Sequence, residues 1–154
     1  MRVMTLVAAT LLTLAVPVDA QTQTVVFVCE HGAAKSVVAA AHFNKLASER
    51  GLPFRAVSRG TAPDPSVPPR IASGLASEKI SLPTGFKPTS VGATDLTSAS
   101  RVVTFDVTLP VATDASKLSR WDKMPAFGDG YAPASAAIAA RVEALVNELA
   151  KKKH

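Results

Sequence analysis

Val25-Val26-Phe27-Val28-Cys29-Glu30-His31-Gly32-Ala33-Ala34-Lys35-Ser36 decides how this chain is read. An apolar run of strand length ends on the single cysteine. Five residues follow, one of them glycine, then a lysine and a serine, and beyond them the sequence takes up helical spacing. The pattern predicts a buried strand, a tight loop and a helix N-terminus, with a thiol at the junction. The first turn of a helix carries unpaired N–H groups and partial positive charge, so it draws anions, and the same field favours a thiolate. A lone cysteine is more often an inert small hydrophobe. Its place at the strand end favours an oxyanion-binding nucleophile instead.

Outward from this stretch, strand and helix alternate. Residues 24–28 form the first strand. Residues 36–50 read as a helix, with Ala39, Phe43, Leu46 and Ala47 on one stripe and Gly51 as its stop. His42 lies beside that stripe and reads as a packed or surface histidine. Residues 54–58 make a second strand, and Arg59-Gly60-Thr61-Ala62-Pro63-Asp64-Pro65 a loop. Ser66 is placed to cap a helix carrying Val67, Ile71 and Leu75, whose first turn accommodates Pro68 and Pro69. Residues 83–92 are irregular, 101–105 a third strand, 115–121 a short fourth strand, and 125–131 a loop. Ile138, Val142, Leu145, Val146 and Leu149 mark a final amphipathic helix. This order predicts an α/β fold: a three-layer, four-stranded parallel sheet with helices on both faces. In such sheets ligands bind beyond the carboxyl ends of the strands, where Cys29 would lie.

The first twenty residues are of another kind. Arg2 is followed by an apolar stretch over residues 3–16 and by Val18-Asp19-Ala20, the pattern of a secretory signal peptide cleaved before Gln21. The competing reading, an uncleaved anchor, needs a longer apolar run. The expectation is therefore a signal peptide over residues 1–20 and one domain over residues 21–154. The mature protein would be exported, periplasmic or secreted, and would carry no membrane span. The net charge is +5, and it is unchanged by cleavage because Arg2 and Asp19 leave together. Such a charge suits small anions. Aromatic residues are few, and Lys151-Lys152-Lys153 closes a helix where it offsets the dipole, so nucleic acid is not an expected partner. No His, Cys, Asp or Glu cluster has metal-ligand spacing, and no cofactor or metal is implied.

The stretch Cys29-Glu30-His31-Gly32-Ala33-Ala34-Lys35-Ser36 resembles the cysteine, five residues, arginine, serine loop of the low-molecular-weight protein tyrosine phosphatases and the arsenate reductases that share their fold. The likeness continues in order. Ser58-Arg59-Gly60-Thr61-Ala62-Pro63 is similar to the family's Ser-Ala-Gly-Thr segment. Val102-Val103-Thr104-Phe105 is similar to its third core strand, and Arg120-Trp121-Asp122 with Pro125 to its Trp-Asp-x-Pro region. The resemblance implies Cys29 as nucleophile, the amides of Glu30, His31, Gly32, Ala33, Ala34, Lys35 and Ser36 as the phosphate cradle, and Ser36 and Ser58 in support.

The departures are specific. Lys35 stands where the family has arginine, which replaces a rigid two-donor fork by one mobile charge. Gly32 replaces an asparagine. Arg59 replaces an alanine, and it either returns the missing guanidinium charge or is a solvated surface residue. Ala126-Phe127 follow Pro125 where the family has its acidic Asp-Pro, leaving Asp129 or Asp122 as general acid, or neither. Glu30 is expected to point to solvent, and His31 either supports the thiolate or fills the rim. The activity implied is phosphomonoester hydrolysis through a cysteinyl-phosphate. Its substrate would be a phosphomonoester or a phosphorylated protein. The alternatives are capture of phosphate, arsenate or a phospho-ligand without turnover, and arsenate reduction with an external thiol.

Overall fold

The computed structural model describes residues 21–152. Residues 1–20, with the signal-peptide reading, and residues 153–154 lie outside that range. The sheet consists of β1 (Gln23–Cys29), β2 (Phe54–Gly60), β3 (Arg101–Thr104) and β4 (Leu118–Arg120), all parallel and ordered β2-β1-β3-β4. Its helices are α1 (Lys35–Glu49), α2 (Pro69–Ser77), α3 (Ala93–Ser98) and α4 (Tyr131–Lys151). The expected three-layer α/β architecture is the observed one.

The alternating faces of β1 explain the layers. Val25, Phe27 and Cys29 point to one side and Val26 and Val28 to the other. The first set packs under α1, α2 and α4 around an aromatic cluster. There Phe27 lies 6.0 Å from Phe43, 6.4 Å from Phe105 and 5.7 Å from Trp121, ring centre to ring centre. The second set meets Val91, Leu96 and Ala99 on and beside α3. Both faces of the central strand are therefore dry, which is why it reads as an unbroken apolar run.

Two local expectations need correction. Ser66 does not cap α2; Pro68 precedes the first turn with no side-chain cap, and Pro69 opens the helix, where its missing N–H is no loss. The helix α3 was not expected at all. It is too short to show a period, and its start is closed by Asp95, which accepts from the Gly92 N–H at 2.9 Å. The 125–131 loop contains one 3-10 turn, Phe127–Asp129. His42 belongs to a polar node that joins three helices. Its Nε2 lies 3.1 Å from Ser135 Oγ and 3.2 Å from Glu78 Oε2, and Tyr131 donates to the same carboxylate at 2.7 Å. Among the described residues no helix is long and apolar enough to cross a membrane.

Candidate active site

The register puts Cys29 opposite Gly60 and Val28 opposite Thr104, so the carboxyl ends of β1, β2 and β3 converge on one edge of the sheet. From Cys29 the chain turns through Glu30–Ala34 into α1. Gly32 sits at φ +59°, a left-handed backbone that favours glycine. It also faces Gly60 so closely that a Cβ on either residue would lie 2.8 Å from the other's backbone nitrogen. The two glycines let the loop lie flat against the end of β2. Thr61, Ala62 and Asp64 then donate backbone N–H groups to the carbonyls of Cys29, Glu30 and His31, at 3.1, 2.8 and 2.9 Å. The loop's oxygens are thereby turned outward. Among the described residues no acceptor pairs with the N–H groups of Glu30, His31, Gly32, Ala33 or Ala34. Ala34 provides no side-chain cap to α1. A run of free amides joined to an uncapped helix start is the kind of arrangement to which anions are drawn.

Below the loop, Cys29 Sγ lies 3.0 Å from Ser36 Oγ, Ser36 Oγ lies 2.8 Å from Ser58 Oγ, and Ser58 Oγ reaches the Gly32 carbonyl at 3.3 Å. With a neutral thiol every hydrogen runs one way, from sulfur to Ser36, to Ser58, to Gly32. With a thiolate the chain must reverse: Ser58 donates to Ser36 and Ser36 to sulfur, and the long Gly32 contact loses its hydrogen. The buried hydroxyls thus serve both states of the sulfur.

Cys29 is 7% exposed, but it is not sealed under apolar side chains. It forms part of the wall of a cavity of about 260 Å³, with Lys35, Arg70, Phe105, Asp106 and Phe127. Glu30, His31 and Ala126 complete the rim. The Lys35 ammonium points neither to open solvent nor freely at the sulfur. It holds Asp106 Oδ2 at 3.1 Å. Asp106 follows β3 in a left-handed backbone, φ +52°. The backbone N–H of Lys123, at 2.9 Å from Oδ1, and then the Lys35 ammonium hold its carboxyl below the usual carboxylate range.

Of the remaining expected site residues, Arg59, Asp122 and Asp129 do not line the cavity, whereas Glu30 and His31 stand on its rim. Arg59 does not return a guanidinium to the cavity and is not a free surface charge. It is half-buried and pairs with Asp95 at 3.0 Å. Asp122 accepts the backbone N–H of Asp106 at 3.0 Å and so shapes the turn after β3. Asp129 is exposed, and neither it nor Asp122 lines the cavity, whereas Ala126, at the position of the family's acid, does. Glu30 is exposed as expected. His31 stands at the rim, with Nδ1 3.1 Å from Asp64 Oδ1. Sequence reasoning missed Asp106 and Arg70. Asp106 carried one usable signal, an acidic residue placed just after a strand of a parallel sheet.

A parallel sheet with a cysteine loop at the carboxyl end of its central strand is the framework of a known phosphatase class, and comparison agrees. The family model described as low molecular weight phosphotyrosine protein phosphatase matches residues 24–123, and the chain belongs to that family. Among solved structures it is similar to an arsenate reductase from Archaeoglobus fulgidus, at 30% identity and TM-score 0.65 over 80% of this chain and 98% of that one. It is similar in fold to the Corynebacterium glutamicum thioredoxin-dependent arsenate reductase, at 18% identity and TM-score 0.74, covering 88% of this chain and 65% of that one. A low molecular weight protein tyrosine phosphatase from T. tengcongensis shares the fold at 18% identity and TM-score 0.68, over 84% and 99% of the two chains. A comparison with the curated proteins gave no match.

Proposed function

We propose that the protein hydrolyses phosphomonoesters through a cysteinyl-phosphate, and that it prefers aryl esters. The observation that carries this reading is the Cys29 sulfur set below a ring of unpaired amides and backed by the Ser36 hydroxyl at 3.0 Å. The phosphoryl oxygens take the loop amides. Lys35 and Arg70 supply positive charge from the cavity wall, in place of one bidentate guanidinium. The Cys29 thiolate attacks phosphorus in line; the S–P bond forms as the P–O bond to the leaving group breaks. Water then attacks phosphorus and the sulfur leaves as thiolate, which Ser36 stabilises by donation.

The preference for aryl esters follows from the missing acid. Asp106, in the wall, accepts from the Lys123 N–H and the Lys35 ammonium, which favours its charged form over the acid that would donate a proton. Phenols leave with little proton assistance, whereas alkoxides need it. The test is turnover of p-nitrophenyl phosphate by the purified chain, followed by acid quench and mass analysis of the Cys29 peptide. Turnover with a phosphorylated Cys29, both lost in Cys29→Ser, is expected; equal turnover by Cys29→Ser would end the proposal.

A second reading, arsenate reduction, is favoured by the 30% identity to the Archaeoglobus protein. Cys29 is the chain's single cysteine. Reduction of arsenic(V) to arsenic(III) would therefore draw its two electrons from two thiols, Cys29 and an external one, which end as a mixed disulfide. Arsenite release that depends on added thiol, without aryl phosphate turnover, would select it. The proposal also includes export with cleavage before Gln21, which N-terminal sequencing of the protein from its native host tests.

A further inference from the structure

The concavity above the thiol is not alone, and a second one exceeds it in volume. A cavity of about 560 Å³ lies behind the loop, between α1, the edge strand β2 and the segment after α2. This is the size range of small-molecule sites. Its floor is apolar, made by Val37, Ala40 and Ala56. Its outer wall is Leu82, Pro83 and Phe86. A turn closed by Phe86 N–H to Pro83 O at 3.0 Å, with Gly85 at φ +73°, folds this wall over the floor.

The charge at the mouth has one sign. Lys45 and Lys79 line the cavity, and among the described residues neither forms an ion pair. The third lining cation, Arg59, is neutralised by Asp95. Among the described residues no carboxylate lines the cavity.

Lys79 also has an unusual backbone. It ends α2 in the left-handed conformation, φ +59°, a position normally given to glycine. Its own N–H bonds Ala76 O at 3.0 Å and that of Ile80 bonds Leu75 O at 2.9 Å, which locks the turn. A lysine held there carries a backbone cost that glycine would avoid, and what it adds is an ammonium at the cavity mouth.

From the apolar floor, the two unpaired lysines and the strained Lys79 we infer that this cavity binds a small amphipathic carboxylate, its apolar body on Ala40, Ala56 and Phe86 and its anionic head between Lys45 and Lys79. A second copy of the chain is a poor occupant, because a symmetric contact here would bring like charges together. The site is distinct from the anion loop. The inference does not depend on turnover at Cys29.

The test is titration of the full chain with 2-naphthoate and with 2-naphthalenemethanol, followed by NMR, with saturating inorganic phosphate present throughout. The carboxylate is expected to shift Ala40, Ala41, Val57 and Phe86, and to bind at least about fivefold tighter than the alcohol, as one or two weak charge contacts allow. Lys45→Gln with Lys79→Asn should erase that preference while leaving alcohol binding in place; asparagine tolerates the left-handed backbone. Ala41→Leu, on a half-exposed helix position, should block both ligands with the rest of the spectrum intact. Equal affinity for the two ligands, shifts confined to the Cys29 loop, or a naphthoate response unchanged in the lysine variant would each overturn the inference. So would a dimer in sedimentation that shows no naphthoate shifts.

Discussion

Asp106→Asn separates two roles for the carboxylate beside the thiol. In the structure Asp106 holds Lys35 at 3.1 Å, and both line the cavity proposed to receive the anion. A phosphate entering the loop must compete for that ammonium and also meets a negative charge in the wall. Lys35 is 23% exposed and Asp106 44% exposed at the side chain, so solvent screens the pair and its net worth is about 0.5–1 kcal/mol. The repulsion between the carboxylate and a phosphate dianion adds about 1 kcal/mol in the same screened setting. Asparagine keeps the bond from the Lys123 N–H and suits the left-handed backbone. The substitution should therefore tighten phosphate binding by about 10–30-fold. Calorimetric titration of phosphate into Cys29→Ser, with and without Asp106→Asn, measures this directly. In the active chain KM for p-nitrophenyl phosphate should fall in step, with kcat within about threefold of the parent. Phosphate affinity that is unchanged or weaker in a folded variant would refute the competition. A fall in kcat of about 100-fold, recovered for esters of more acidic phenols, would show instead that Asp106 donates the leaving-group proton.

Other outcomes follow from single contacts. Ser36→Ala removes the donor to the thiolate and should slow turnover by about tenfold or more, read as kcat/KM. Gly32→Ala places a Cβ 2.8 Å from the Gly60 nitrogen at φ +59°; it should lower stability by about 1–3 kcal/mol in urea unfolding and abolish phosphate binding. Glu148 meets the buried Arg101 guanidinium at 2.6 Å, and Arg101, then Lys152, hold its carboxyl below the ordinary value. A depressed folded-state value means stability that is present above the unfolded value and lost as pH falls through the folded one. Glu148 is 45% exposed at the side chain, so solvent screens the pair, and Glu148→Gln should cost only about 0.5–1 kcal/mol at pH 7 and flatten the loss of stability as pH falls through the carboxylate range.

The parts of this fold that were legible in sequence are those set by contact with neighbours close in the chain or by a dry environment on every side. The central strand is buried on both faces and shows as Val25-Val26-Phe27-Val28. The helices α1 and α4 carry a long stripe, and Gly51 at φ +60° ends the first as expected. What was not legible is short or arises from distance. Six residues of α3 hold less than two turns, so no periodicity can announce them. Arg59 looked available because its partner, Asp95, lies thirty-six residues on.

The same reasoning applies with more force to the site. Cys29, Ser36 and the loop amides are one continuous segment, and its spacing alone carries most of the cradle. The groups that tune it come from the ends of other elements: Asp106 from beyond β3, Arg70 from the first turn of α2, and Phe127 from the turn before α4. Their meeting depends on strand order β2-β1-β3-β4, which places the ends of β1 and β3 side by side. A family comparison supplies the positions to inspect, but not the charges found there. At the acid's position the cavity has Ala126, and at the arginine's it has a lysine already engaged. The proposed chemistry therefore turns on whether an incoming anion can take Lys35 from Asp106, a competition between two negative groups for one ammonium that the geometry of the loop alone cannot decide.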